Sequence, residues 1–218
     1  MLSFKSLATV ATLAFGALSA VAAPAPQSHG AGVAVAAGLK HTRDTQVVGV
    51  AQIIQTTTVT LTPVVQKLQF INTQNCTVDA ITPVVNDIKG ILGDAVTQVN
   101  ALVGAATSDI LAGVDGAAAV TVTDLAKLLG DLLTLVFTAL GAVLAVVGQV
   151  GGDVAAAVTP LLQAVGELVG SLLHAVLALV GGLLGGLIPA VLALVGDVLS
   201  VIAKLQINVL ISVFGIQL

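Results

Sequence analysis

Two long stretches of this chain carry no charged residue, and they restrict what it can fold into more than any other feature. Residues 132–152 and 168–196 run for 21 and 29 residues without Asp, Glu, Lys or Arg. A helix that is apolar around its whole circumference must be covered by protein or face a phase other than water. The sequence therefore predicts helices that are buried in a core, cross a membrane or meet an apolar surface.

Charge is concentrated in the first part of the chain. Residues 24–127 hold 12 charged side chains, whereas residues 128–218 hold five. Charged residues make up 8% of the whole chain, against about 25% in ordinary soluble domains. The net charge of −4 gives no basic surface for nucleic acid, so we expect no nucleic-acid partner.

The first residues have the three parts of a secretory signal peptide. Lys5 supplies the positive charge, residues 7–18 form an uncharged apolar segment, and Ala20-Val21-Ala22 resembles a cleavage site. We therefore assign residues 1–23 as a signal peptide and expect the protein to be secreted. Residues 24–45 are rich in turn formers without a sustained period, which is typical of a flexible linker.

Residues 46–105 carry the pattern of two amphipathic helices, near 46–72 and 77–105. Apolar residues recur there at spacings of three and four, which places one apolar stripe on each helix. The short connection, residues 72–77, favours an antiparallel hairpin with both stripes facing inward. The stripe residues are Val47, Val50, Ile54, Thr57, Leu61, Val64, Leu68 and Ile71 in the first helix, and Val78, Ile81, Val85, Ile88, Leu92, Ala95, Val99 and Leu102 in the second.

Residues 106–218 form a Gly/Leu/Val-rich hydrophobic region, in which we predict helices near 121–150, 157–186 and 188–217. The motif Ala-Val-Leu-Ala-(Val/Leu)-Val-Gly begins at residues 142, 175 and 190, so this half of the chain contains a repeated sequence motif. The fold class that follows is all-α, with the amphipathic hairpin packed against the hydrophobic helices.

Threonine–proline pairs recur at residues 62, 82 and 159. Such a pair can cap a helix, with proline in the first turn, or can bend a helix that continues. Because the first two pairs lie inside periodic runs, we expect kinked but continuous helices there.

The predicted hairpin loop carries the one modification site that the sequence indicates. Asn75-Cys76-Thr77 is an N-glycosylation sequon, and we expect Asn75 to be exposed and glycosylated in a secreted protein. Cys76 is the only cysteine, so no intramolecular disulfide can form. Its thiol is either buried or paired with another chain, and the buried thiol is the favoured interpretation.

Catalytic residues are not indicated. Ser171 and His174 could be drawn as part of a Ser-His-Asp arrangement, but they lie one turn apart on one predicted helix without a nucleophile elbow. His29 and His41 lie in the linker. We therefore expect a protein that is not an enzyme, and we interpret Glu167 as an exposed residue on a partly solvated face.

Cofactor and metal motifs are also missing. The glycines of residues 181–186 have no Lys-Ser/Thr after them, as a phosphate loop would require, and close packing or a hinge explains them better. Four aspartates that lie between the hairpin and the apolar stretches are too widely spaced for an EF-hand. We expect no metal and no cofactor; the aspartates are Asp109, Asp115, Asp124 and Asp131.

The layout resembles that of small secreted fungal structural proteins, which have a polar N-terminal half and a hydrophobic C-terminal half. The residues that carry the resemblance are Val21-Ala22-Ala23-Pro24-Ala25-Pro26, Asn75-Cys76-Thr77-Val78 before Thr82-Pro83-Val84-Val85, and the tail around Leu177 to Leu187. It implies a role at the cell wall or aerial hyphae and in attachment, partly overlapping that of hydrophobins, whose cysteine pattern is absent. A weaker similarity, mainly in the hairpin, is to hydrophobic-surface-binding wall proteins.

Two functions therefore stay open. The first is a secreted, surface-active structural protein whose partners are hydrophobic surfaces or cell-wall components, with self-association. The alternative is an integral membrane protein, an oligomeric pore for example, with lipid as its partner. Its support comes from Gly-x-x-x-Gly pairs at 166, 181 and 182, which are typical of membrane helices. Against it, no Lys or Arg lies between Lys127 and Lys204, and the chain has no Trp or Tyr for interfacial belts.

Overall fold

The computed structural model describes residues 48–114 and 118–215, and within them it confirms the all-α fold. The signal peptide, the linker and Val47 lie outside the described residues. Helices and irregular segments account for the described part, which contains no strand. The α-helices are α1 (Val50–Gln69), α2 (Val78–Ala101), α3 (Thr107–Ile110), α4 (Val122–Val150), α5 (Gly152–Val180), α6 (Leu187–Leu194), α7 (Leu199–Lys204) and α8 (Asn208–Phe214).

Helices α1 and α2 pack side by side and run in opposite directions. Ile53 near the start of α1 lines a shallow groove with Gln98 near the end of α2, and Thr60 lines it with Ile91. The Lys67 Nζ and Asp87 Oδ2 atoms, 4.0 Å apart, also join the pair at its exposed side.

Most of the predicted stripe residues are buried, because they face the other long helices. Val64, Ile71 and Leu102 are half-buried, and Val78 is 36% exposed. The buried stripe residues are Val50, Ile54, Thr57, Leu61, Leu68, Ile81, Val85, Ile88, Leu92, Ala95 and Val99.

Helices α4 and α5 form a second antiparallel pair against the first. Only Gly151, at a positive φ of 64°, separates them, and a conformation of this kind suits glycine, which has no Cβ. α4 packs on α1 and α5 packs on α2, so the four long helices form a closed ring of neighbours.

The C-terminal residues form a third layer on the other side of α4 and α5. α6, α7 and the 3₁₀ turn Gly196–Val198 pack on α4, whereas α8 packs on α5. α4 and α5 therefore lie in the middle of the molecule with protein on both faces. This position accounts for part of the apolar sequence only, because 39% of the most apolar window of α4 and 44% of that of α5 are buried.

Glycines let the third layer approach the middle one closely. A Cβ atom added to Gly166 would meet Cδ1 of Ile207, and one added to Gly170 would lie 3.0 Å from Cβ of Val209. The Gly-x-x-x-Gly pair on α5 is thus occupied by the chain itself. The pairs that begin at residues 181 and 182 lie instead in the turn between α5 and α6.

The structure corrects two predicted helices. The helix expected at 157–186 spans Gly152–Val180, because glycines 181 and 182 end it and Gly186, at φ 85°, starts α6. The single helix expected at 188–217 is wrong: the chain forms α6, a 3₁₀ turn, α7 and α8. The segments Leu187–Leu194 and Gly196–Lys204 meet at 69°, and Gln206, at φ 53°, separates α7 from α8.

The threonine–proline pairs lie inside continuous helices, as expected for the first two. Pro63, Pro83 and Pro160 are interior to α1, α2 and α5. The hydroxyls of Thr62 and Thr82, which precede two of these prolines, donate to the carbonyl oxygens of residues 58 and 78, four residues earlier. This bonding to the preceding turn satisfies the hydroxyl within its own helix.

A candidate apolar groove and a glycosylation loop

A large groove among the described residues lies between the end of α2, the second half of α5 and α8. Its volume is about 1140 Å³, which is the size of a site for an organic ligand. We call it the α2–α5–α8 groove. Val103 and Leu183 are at its rim and are 70% and 41% exposed, so large apolar side chains meet solvent there.

The polar side chains along this groove are amides, hydroxyls and one imidazole. No Asp, Glu, Lys or Arg is among its lining residues. The polar lining consists of Asn100, Thr107, Ser171, His174, Asn208 and Ser212. The groove therefore offers hydrogen-bonding groups beside apolar walls but has no fixed charge.

The polar groups of α5 and α8 are brought together by the contact between these helices. Gly170 lies against Val209, which places Ser171 and Asn208 at the same level. Leu179, Leu183 and Val103 also line the groove. Asn100 and Thr107 lie three and four residues from Val103, so polar and apolar side chains are mixed along the groove.

Ser171 and His174 both line the groove but do not form a catalytic pair. The Ser171 hydroxyl donates to the Glu167 carbonyl oxygen at 2.9 Å, so its proton points into its own helix. His174 is exposed on the face of α5 that borders the groove.

Glu167 is half-buried and binds another helix, which corrects its interpretation as a simple exposed residue. Its Oε1 accepts a hydrogen bond from the backbone N–H of Asn208 at 3.2 Å. Asn208 is the first residue of α8. The carboxylate therefore satisfies an N–H group that has no partner inside its own helix.

The sequon lies in the α1–α2 loop with Asn75 exposed. The Asn75 Nδ2 atom donates to the Phe70 carbonyl oxygen at 3.1 Å, and its Oδ1 accepts from the Asn72 N–H at 2.6 Å. A primary amide has two N–H donors, so the bond to Phe70 leaves one of them for a glycan. Thr77 also caps α2, since its Oγ1 accepts from the Ala80 N–H at 3.2 Å.

Cys76 lies beneath this loop and is 4% exposed. Its position agrees with the interpretation of a buried thiol. Because neighbours on both sides in the sequence are exposed, the thiol anchors the loop to the core as a small apolar group.

Residues 48–114 and 118–215 place most of the residues that the sequence suggested for metal or phosphate binding. No group of three His, Cys, Asp or Glu residues is close enough there to hold a metal ion. Asp124 belongs to the cap of α4, whereas Asp115 lies outside the described residues. The glycines at 181–186 form the α5–α6 turn.

By length and hydropathy alone, two described helices could cross a membrane. They are α4 and α5, and the bent pair Leu187–Leu194 with Gly196–Lys204 would add a third span if it crossed as one. The same helices form the middle layer and part of the third layer of the fold.

No protein-family model, curated protein or solved structure matches this chain. Function therefore has to be inferred from the residues themselves and from their packing. The similarity to fungal wall proteins stays a hypothesis that rests on composition.

Sequence reasoning missed the groove, because its residues come from three distant segments. One signal was available: Asn208 and Ser212 lie four residues apart, which puts two polar groups on one face of an otherwise apolar helix.

Proposed function

We propose that this chain is a secreted, non-enzymatic structural protein that adsorbs to apolar surfaces, such as those of a fungal wall or hypha, through its C-terminal half. The observation that carries the proposal is the middle layer: α4 and α5 hold most of the uncharged sequence and are covered on one side by short helices alone. We call residues 187–215 the cover. If the cover moves away, the faces of α4 and α5 beneath it can contact an apolar phase, which is as apolar as the side chains of the cover.

The energy available for such an exchange is large. Transfer of apolar surface from water is worth about 25 cal/mol per Å², so 1000 Å² contributes about 25 kcal/mol before the cost of ordering is subtracted. The cover itself gains contacts with the surface when it opens. Adsorption therefore needs no specific hydrogen bond.

The cover is the part of the C-terminal half that is best suited to move. Its helices α6, α7 and α8 have 8, 6 and 7 residues, and helices shorter than about 12–15 residues are marginal without tertiary packing. The 69° bend and the positive φ of Gln206 divide it into independent pieces. Each piece therefore depends on its contact with α4 or α5, and an apolar surface that replaces this contact should release the pieces one at a time.

Two engineered disulfides test this mechanism. A Cβ on Gly130 would lie 3.1 Å from Cβ of Leu194, and one on Gly170 would lie 3.0 Å from Cβ of Val209; because a disulfide needs about 3.5–4.5 Å between its Cβ atoms, each bridge requires the facing helices to move apart by about 0.5 Å. Gly130→Cys with Leu194→Cys locks α6 on α4, and Gly170→Cys with Val209→Cys locks α8 on α5. Cys76→Ala in both variants leaves one cysteine pair.

Adsorption at an air–water interface is then followed by tensiometry in the oxidised and reduced forms of each variant. We expect the oxidised forms to lower surface tension at least tenfold more slowly, and the reduced forms to match the Cys76→Ala parent. Equal rates in both forms would show that the cover does not open. Failure of the unmodified protein to lower surface tension at all would contradict the proposed function itself.

A second candidate is an integral membrane protein, because α4 and α5 are long and apolar enough to span a bilayer. Fractionation of expressing cells separates the two. The surface-active protein is recovered in the medium or wall fraction, whereas the membrane protein stays in membranes after alkaline carbonate extraction and needs detergent.

A further inference from the structure

The α1–α2 loop uses all three residues of its sequon for folding. Asn75 is hydrogen-bonded to the loop, Cys76 is buried and Thr77 caps α2. We propose that folding closes this site: Asn75 accepts a glycan while the chain is still unfolded, and formation of the loop ends its reactivity. The proposal rests on the glycosylation expected at Asn75 and is independent of surface adsorption.

The side-chain amide of Asn75 is held at both of its polar atoms. Its Oδ1 accepts from the Asn72 N–H at 2.6 Å, and its Nδ2 donates to the Phe70 carbonyl oxygen at 3.1 Å. In glycan transfer, Nδ2 forms a bond to the anomeric carbon of a lipid-linked oligosaccharide, the bond from that carbon to pyrophosphate breaks, and one amide proton is lost to a base of the transferase. A transferase must orient the amide for this step, whereas the loop already fixes it in another way.

The third residue of the sequon is engaged as well. Because a sequon needs Ser or Thr at this position, the hydroxyl takes part in recognition. The Thr77 Oγ1 accepts from the Ala80 N–H at 3.2 Å, and the Thr77 N–H donates to the Asn75 carbonyl oxygen at 2.8 Å. The second bond joins residues two apart, so the folded sequon is bent into a turn of three residues. An enzyme that binds the hydroxyl therefore competes with the cap of α2.

Cys76 connects the conformation of the sequon to the core. Its side chain is 4% exposed and belongs to the apolar cluster of buried residues. Since it lies between Asn75 and Thr77, a change in the path of the sequon backbone also displaces this side chain. Transfer to the folded chain would thus disturb the core, the loop and the helix cap together.

The order of synthesis leaves a period in which the site is open. α1 packs on α4 and α2 packs on α5, so the buried faces of the first pair lack their full cover until α5 has been made. The roughly 100 residues from Asn75 to the end of α5 take about 5–20 s to synthesise at about 5–20 residues per second. A glycan attached in this period is compatible with the folded loop, because one N–H of Asn75 remains for Phe70.

A transfer assay on chains made without glycan in bacteria tests the proposal. Each chain is incubated with purified oligosaccharyltransferase and lipid-linked oligosaccharide, and circular dichroism is recorded under the same conditions. Leu61→Asp places a carboxylate at a position that is 0% exposed and should unfold the chain without changing the sequon. Val59→Asp is the matched control, because Val59 lies two positions away on α1 and is 67% exposed.

We expect transfer to Asn75 to be at least tenfold faster in unfolded Leu61→Asp than in the folded parent, and Val59→Asp to match the parent. Equal rates in the folded parent and in Leu61→Asp would overturn the proposal. Absence of transfer to every chain would remove Asn75 as an acceptor, which is a different result from equal rates.

A variant of the loop tests the local contacts while the rest of the fold is kept. The Asn72 Oδ1 atom accepts from the N–H groups of Gln74 and Asn75 at 2.9 and 3.3 Å, and Asn72→Ala removes both bonds. Transfer to this variant should be at least threefold faster than to the parent, with a native circular dichroism spectrum. Thr73→Ala, at an exposed neighbour in the same loop, is the control and should match the parent. An unchanged rate in Asn72→Ala would show that the closed loop does not limit transfer.

Discussion

The carboxylate of Glu167 binds the backbone N–H of Asn208 across 41 residues of sequence, at 3.2 Å. This bond joins the middle of α5 to the first residue of α8. This hydrogen bond attaches the cover to α5, where the other contacts between them are apolar.

Removal of the Glu167–Asn208 hydrogen bond should destabilise the packing of α8 on α5. We expect Glu167→Ala to lower the free energy of unfolding by about 1 kcal/mol, because the Asn208 N–H loses a charged acceptor. Glu167→Gln keeps an acceptor oxygen and should lose less. Urea unfolding measures both, and hydrogen exchange of the Asn208 amide shows whether the change is local. Identical exchange in all three proteins would show that the bond does not hold α8.

Substitution by alanine should change the stability of the protein in opposite directions at two helical glycines, Gly166 and Gly93. Gly166→Ala should destabilise the protein by about 1–3 kcal/mol, since its Cβ would overpack Ile207. Gly93→Ala in α2 should stabilise it by about 0.5–1 kcal/mol, because nothing lies within 4 Å of the added Cβ and alanine is the better helix former. Thermal or urea unfolding gives both values. A tolerated Gly166→Ala would mean that α5 and the cover do not approach as described.

Expression in a eukaryotic secretory host should produce a glycan at Asn75. Endoglycosidase treatment should lower the mass of the secreted protein, and Asn75→Gln should abolish this shift. Asn72→Gln is the control, because Asn72 is exposed in the same loop but Asn72-Thr73-Gln74 is not a sequon. An unchanged mass in the parent protein would contradict the prediction.

Thr77 serves the same loop in two ways, and the two can be separated. Thr77→Ser preserves both sequon and cap, whereas Thr77→Ala removes both and should cost about 1 kcal/mol of stability even when the protein is made without glycosylation. Unfolding of bacterially produced protein measures the cap alone. Equal stability of the two variants there would show that Thr77 does not cap α2.

The cap of α4 predicts a pH effect. The Thr121 hydroxyl donates to Asp124 Oδ2 at 2.7 Å and, with the Thr121 N–H, lowers the pKa of the Asp124 carboxyl below its ordinary value of 3.8. A carboxyl whose pKa is lower in the folded state stabilises the fold above its unfolded pKa, and this contribution is lost as the pH falls through the folded value.

Thr121→Ala should therefore raise the Asp124 pKa toward 3.8 and reduce the acid sensitivity of α4. Carboxyl NMR titration checks the shift, with Thr123→Ala as the control because Thr123 is an exposed neighbour outside the cap. An unchanged Asp124 titration in Thr121→Ala would refute the role of the hydroxyl.

The sequence predicted the elements that local pattern determines. The apolar spacings of three and four residues predicted the buried faces of α1 and α2, and the helix expected near 121–150 is α4, Val122–Val150. These features depend on residues within one or two turns of each other, so they are visible without the rest of the fold.

The repeated motif shows where local pattern stopped being sufficient. In its three copies the first valines, Val143, Val176 and Val191, are all buried, so the same face is used each time. The final glycine nevertheless lies inside α4 in the first copy, follows the end of α5 in the second and begins the 3₁₀ turn after α6 in the third. The residues that come next, and the neighbours in space, decide between these outcomes.

The groove depended entirely on tertiary packing. Asn100, His174 and Asn208 are distant in sequence, and only the arrangement of α2, α5 and α8 brings them to one place. A stretch that is apolar all round gives no signal for which face will border a cavity.

The buried polar residue of the described core, Thr57, directs its hydroxyl to the Ile53 carbonyl oxygen of its own helix. The alignment of α8 on α5 is set by the bond from Asn208 to Glu167 and by shape, since Ile207 packs at Gly166 and Val209 at Gly170. The apolar contacts have no preferred direction, so the hydrogen bond is what opposes a slide of α8. A Cβ atom at either glycine should therefore displace the cover before it unfolds the four long helices.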